Sequence, residues 1–65
     1  MTVKDVQKWV RDIASMAKDP ECAHAGEDGL HYDVLCAIAH GAENAQALAK
    51  EAIKTSEIHF PRWCA

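Results

Sequence analysis

PECAHAGEDGLHYDVLCAIAH, residues 20–40, is the stretch whose reading decides the fold. Leu30, Val34, Ala37 and Ile38 recur at the three- and four-residue spacing of one helical face, and Ala23 keeps the same phase. His24, Glu27 and His31 fall on that same side. An apolar face does not take up ionisable groups without compensation. They pair, they bind something, or they sit where water or a second chain reaches them.

The ends of this stretch carry their own signals. Asp19 precedes Pro20, and a residue before proline avoids the helical region. Aspartate suits an N-cap, proline suits the first helical position, and Gly41 suits the position just past a helix end. Gly26 and Gly29 each weaken a helix by about 1 kcal/mol relative to alanine, so a break between Ala25 and Asp28 is the competing reading. The unbroken apolar phase favours a single helix over 20–40.

Upstream, Thr2 and Asp5 resemble a capping box, with aspartate in place of the usual glutamate or glutamine. Val3, Val6, Val10, Ile13 and Ala17 then share one helical side, with Trp9 and Met16 beside them. Lys4, Lys8, Arg11, Ser15 and Lys18 share the other. The pattern predicts an amphipathic helix over 3–18. Its basic strip reads as a solvated face, because no aromatic or glycine-rich companion of a nucleic-acid site accompanies it.

Downstream, Asn44 is expected to cap a third helix over 45–55, with Ala45, Leu48, Ala49, Ala52 and Ile53 on its inner face. The tail, 56–65, holds Ile58, Phe60 and Trp63, and Phe60 before Pro61 should be extended. Two readings of the tail stay open. It closes the open side of the helices as a strap, or Phe60 and Trp63 anchor a partner. The expected fold is all-α: one three-helix mini-domain over 1–65, with a long central helix and an ordered aromatic C-terminal tail.

A chain of 65 residues that is 49% hydrophobic makes one small domain. Such a domain buries only roughly 60% of its unfolded surface, so disulfides, a metal or a partner chain often supplement its core. Disulfides are not expected. The cysteines are Cys22, Cys36 and Cys64, an odd number, and Met1 leads into a charged helical pattern rather than an apolar signal segment. The expectation is free thiols in a reducing cytoplasm. No apolar run approaches the roughly 18 residues of a membrane span.

Net charge is −3, but between Asp19 and Ala49 stand Asp19, Glu21, Glu27, Asp28, Asp33 and Glu43 without a lysine or arginine. Packing of an acidic middle segment against basic outer ones is expected. The alternative is an acidic surface that docks onto a basic partner or imitates a nucleic-acid backbone. Tyr32, Cys36 and Ala39 lie away from the main stripe, which suggests a homodimer.

The chain resembles a family of very small proteins encoded by bacteriophages, prophages and bacterial genomes. The likeness rests on Asp19-Pro20-Glu21, Glu27-Asp28, Leu30-His31, Val34-Leu35 and Ile38-Ala39. It continues through Gly41, Leu48-Ala49, Ala52, Lys54-Thr55 and the closing Phe60-Pro61-Arg62-Trp63-Cys64-Ala65, a Phe-x-Arg-Trp-x-Ala tail. The resemblance implies a cytosolic, phage-related helical protein and assigns no catalytic residue. By analogy, small phage proteins work by binding and disabling a host factor.

Two constellations could carry chemistry. His24, Glu27, Asp28 and His31 share two helical turns. Imidazole and carboxylate together can form a structural network, recognise a ligand or partner, hold a divalent metal, or move a proton. Arg62 of the tail is one expected partner for Glu27 or Asp28. Cys36 and His40 are a second pair, one turn apart, on the opposite side of the helix, at a spacing that can chelate zinc. No phosphate-cradling loop, dinucleotide fingerprint or nucleic-acid motif is present, and no cofactor or enzymatic activity is expected.

Two function classes follow. The first is a protein-binding module, a phage-type inhibitor of a host protein such as a defence-system component, with Glu27, Asp28, His31, Phe60, Arg62 and Trp63 as contacts. The second is a metal- or small-ligand-binding protein, using His24, Glu27, Asp28 and His31. Its alternative metal ligands are His24, Glu27 and His31, or Cys36 and His40.

Overall fold

The computed structural model describes residues 1–62. It is all-α: α1 spans Val3–Ser15, α2 Pro20–Ala39 and α3 Ala45–Ala52, followed by a 3-10 turn, Ile53–Glu57. α1 packs against both α2 and α3, and α2 packs against α3. Among the described residues there is no strand, and no helix is long and apolar enough to cross a membrane.

Local chemistry sets each helix end. At α1 the capping box is complete: Thr2 Oγ1 accepts from the Asp5 N–H at 3.1 Å, and Asp5 Oδ2 accepts from the Thr2 N–H at 2.8 Å. These bonds hold the Asp5 carboxyl below the ordinary aspartate value. α1 ends at Ser15, short of the expected residue 18. Asp19 must leave the helical region ahead of Pro20, and the residues before it tighten into turns bonded Met16 N–H to Ile13 O and Ala17 N–H to Ala14 O.

Pro20 opens α2, and Asp19 Oδ1 accepts from the Cys22 N–H at 3.3 Å. The helix runs unbroken through both internal glycines. Those glycines lie where α1 crosses it. A Cβ on Gly26 would stand 3.2 Å from Ile13 Cγ1, and one on Gly29 3.4 Å from Trp9 Cζ2. The positions that weaken α2 as an isolated helix thus let two large α1 side chains lie close to its backbone.

α2 stops in a full Schellman motif. The Gly41 N–H bonds Ile38 O, the Ala42 N–H bonds Ala37 O, and Gly41 holds a φ of +88°. Asn44 occupies the N-cap position of α3, but its side chain makes no capping bond; its φ of −98° and ψ of 29° depart from the extended geometry that aims such a side chain. α3 ends at Ala52 rather than residue 55. The chain tightens there into the 3-10 turn, which carries Thr55 inward until it is buried.

The core is Val6, Ile13, Ala23, Leu30, Val34, Leu48, Ala52 and Phe60, all buried. Phe60 and the half-buried Ile58 come from the segment after the 3-10 turn, which closes over the helices as far as it is described. The ordered aromatic tail expected over 56–65 also included Trp63, which lies outside the described residues. Ile53, expected on the inner face of a third helix, is instead 64% exposed: its backbone is still helical, and it stands at the end of α3 where no described element covers it.

Candidate functional site

The polar patch on α2 resolves into a lock and a separate ion pair. Glu27, only 6% exposed, sits midway along α2. Arg62 Nε donates to Glu27 Oε1 at 2.8 Å, and Arg62 Nη2 donates to Glu27 Oε2 at 3.1 Å. This fork-on-carboxylate geometry is the strong form of the pair. The same guanidinium donates to the carbonyls of Thr55 at 2.9 Å, Ile58 at 3.1 Å and Phe60 at 3.3 Å. It also lies over the Phe60 ring, 3.9 Å from its centroid.

Electrostatics follow the geometry. The Arg62 hydrogen bonds hold the Glu27 carboxyl below the usual glutamate value, helped by the positive charge of Arg62, against the opposing effect of burial. Arg62 is pushed up in turn, chiefly by its hydrogen bonds to Glu27.

His31 sits one turn further along α2. Its Nε2 lies 3.3 Å from Ala52 O and 3.1 Å from Thr55 Oγ1, while Thr55 Oγ1 donates to Ala52 O at 3.2 Å. A carbonyl only accepts and the hydroxyl proton points at it, so this arrangement is satisfied with the imidazole proton on Nε2. His31 thereby fastens α2 to the end of α3. His24 Nε2 lies 3.4 Å from the exposed carboxylate of Asp28, and its buried Nδ1 has no partner among the described residues.

Side chains of both alternative metal sets are engaged in other contacts. Both Glu27 oxygens are committed to Arg62, and the His31 Nε2 to Ala52 and Thr55. His40 Nδ1 donates to the Cys36 carbonyl at 2.7 Å and so serves the helix end rather than the Cys36 thiol. Among the described residues no three His, Cys, Asp or Glu side chains converge on a point where an ion could sit. Of the residues expected to meet a partner, Asp28 is exposed and His31 half-buried. Glu27 and Phe60 are inside the fold, Arg62 is bound over them, and Trp63 lies outside the described residues.

Beside the lock runs an open apolar groove between α2 and α3, about 260 Å³ in volume. Val34, Leu35 and Ile38 line it from α2, Ala49 and Ala52 from α3, and Ile53 from the turn, with His31 at one end. Leu35 and Ile53 are each 64% exposed, and Tyr32, next to this face, is 68% exposed. Sequence reasoning placed neither Leu35 nor Ile53 on a surface; the only signal was that Leu35 falls beside, not within, the Leu30–Val34–Ile38 row.

Compared with family models, with curated proteins and with solved structures, the chain has no match.

Proposed function

We propose that this protein is a small, non-catalytic binding module that engages another protein through the α2–α3 groove. One observation carries the reading: Leu35 and Ile53, large aliphatic side chains, stand exposed on either side of a groove walled almost wholly by apolar groups. Two exposed aliphatic side chains flanking one apolar groove give another protein a place to bury apolar side chains. A domain this small has little stability to spare for apolar surface with no use. The groove offers one titratable side chain, His31, which is already occupied, so it suits binding better than chemistry.

The likeness to small phage and prophage proteins, strongest over residues 60–65, suggests a host protein as the partner and inhibition as the result. The bacterial cytoplasm is the compartment that goes with this reading. Asp28, His31 and Trp63 remain in the proposed contact set. Glu27, Phe60 and Arg62 are engaged within the fold and act on its stability rather than as contacts.

The test is capture from bacterial lysate with three tagged proteins: the native chain, a Leu35→Gln/Ile53→Gln variant, and a Lys8→Gln/Glu57→Gln control. Circular dichroism and Tm must show all three folded. A protein held by the native chain and the control, and lost from the groove variant, supports the module. An identical set on all three overturns it.

A further inference from the structure

We infer that the α2–α3 groove takes a basic amphipathic segment, one whose aliphatic side chains enter the groove while flanking lysine or arginine side chains lie along α2. The inference rests on the groove being a protein-binding site and adds the chemistry of its occupant. α2 carries no lysine or arginine, and its Glu21, Asp28 and Asp33 are all exposed. The Lys and Arg ion pairs among the described residues use other acids: Lys8 with Asp12, Lys54 with Glu51, and Arg62 with Glu27. Among the described residues Asp28 pairs with His24 and with no Lys or Arg.

The acids and the groove are continuous. Glu21, Asp28, Tyr32 and Leu35 are spaced by seven, four and three residues, which puts them in one row along α2. That row runs from carboxylates near the start of the helix to exposed apolar side chains at the groove. Carboxylates beside a low-dielectric wall concentrate cations there. A lysine or arginine reaching them would lay its aliphatic stem across Leu35 and Tyr32, and the Tyr32 ring offers its face to the charge. An acidic segment would meet repulsion at Glu21 and Asp28. Lys50 is exposed on α3, and Lys54 is neutralised by Glu51, so among the described residues of α3 and the turn after it Lys50 is the one lysine without an ion pair to oppose a basic segment.

A second copy docking through its basic strip fits this surface poorly. Its basic strip (Lys4, Lys8, Arg11) lies on α1, on a different face from its own groove. Docking α1 of one copy onto α2–α3 of the next pairs unlike surfaces and propagates rather than closing as a dimer.

The probes are three amphipathic helical peptides of about 14 residues, built from leucine with lysine, leucine with glutamate, and leucine with glutamine. They are titrated into the isotopically labelled full chain and followed by amide chemical shifts. The leucine–lysine peptide should give saturable shifts centred on Leu35, Ile38, Ala49 and Ile53, with affinity falling as salt rises. Leu35→Gln/Ile53→Gln should weaken it about tenfold or more. Glu21→Gln/Asp28→Asn should weaken it about fivefold and flatten the salt dependence.

Equal binding of all three peptides would overturn the inference and leave the binding-module reading intact, which lysate capture tests separately. Binding of the leucine–lysine peptide that ignores the Leu35→Gln/Ile53→Gln change overturns it as well, as adsorption to scattered acids. So does concentration-dependent self-association, seen by sedimentation and abolished by that change, which would make a second copy the occupant.

Discussion

Arg62 and Glu27, 35 positions apart in sequence, meet in a two-pronged contact: Nε to Oε1 at 2.8 Å and Nη2 to Oε2 at 3.1 Å. Glu27 is buried in the middle of the longest helix, and Arg62 stands near the end of the described chain. The contact therefore decides whether the segment after the 3-10 turn lies on the helices. Because the guanidinium also takes the Thr55, Ile58 and Phe60 carbonyls, it satisfies backbone acceptors that an irregular segment would otherwise leave to water.

Removing the arginine should be worse than removing the pair. Arg62→Ala leaves a carboxylate inside the fold with no cation and should clearly lower the urea midpoint, by less than a fully buried pair would, since the Arg62 side chain is itself one-third exposed. Glu27→Leu with Arg62→Leu should recover the part of that loss due to the stranded charge, while the Thr55, Ile58 and Phe60 carbonyls stay without their donor in both variants. Urea unfolding gives both values. An Arg62→Ala variant within about 0.5 kcal/mol of the native chain would mean the contact is incidental.

Acid should release the same lock. Glu27 holds its proton less readily in the folded state than in the unfolded one, mainly through the Arg62 hydrogen bonds. A carboxylate lowered by folding contributes fully above its unfolded value of about 4.3, and the contribution is lost as pH falls through the lower folded value. Asp5 shifts in the same direction through the α1 capping box, so the native slope has at least two sources. The difference between the native chain and Glu27→Gln isolates one of them. Between about pH 5 and 2 the native Tm should fall more steeply than that of the variant. Parallel curves would show that Glu27 is not the group being titrated.

Gly41 gives a test of backbone alone. Its φ is +88°, and a Cβ added there would meet nothing within 4 Å. Gly41→Ala should therefore lose about 1 kcal/mol purely from forcing an L side chain into the left-handed region. Gly41→Asn should lose less, since asparagine tolerates that region better. Chemical denaturation of the two variants ranks them, and an alanine as stable as the asparagine would contradict the account.

The helical plan was legible because it rests on local rules. The Thr2–Asp5 cap, the Asp19-Pro20 start and the Gly41 stop each act within a few residues, and each is present in the structure. The Glu27–Arg62 contact was legible as one option only: a carboxylate on an apolar stripe needs a cation, and Arg62 stood in a tail with large apolar neighbours. Thr55 was not legible. Its burial follows from α3 tightening after Ala52, a shift of winding that depends on the chain returning over the helices and that no residue pattern announces. Ile53 keeps helical backbone at the end of α3 and is left uncovered there, so the groove emerged only from the three-dimensional arrangement.

The two glycines of α2 should respond to alanine in opposite ways, although sequence alone treats them alike. Each substitution gains about 1 kcal/mol of helix propensity. At Gly29 the new Cβ would sit 3.4 Å from Trp9 Cζ2, an ordinary contact, so the gain survives and Gly29→Ala should stabilise the protein. At Gly26 it would sit 3.2 Å from Ile13 Cγ1 and 3.4 Å from Met16 Cε. Ile13 is fully buried and β-branched, with no free rotamer into which to withdraw, so Gly26→Ala should lose about 1 kcal/mol net as α1 is pushed away. Thermal unfolding of the two single variants beside the native chain decides the matter. If Gly26→Ala were the more stable of the two, Ile13 would not be resting on the α2 backbone, and the crossing of α1 over α2 at these glycines would have to be redrawn.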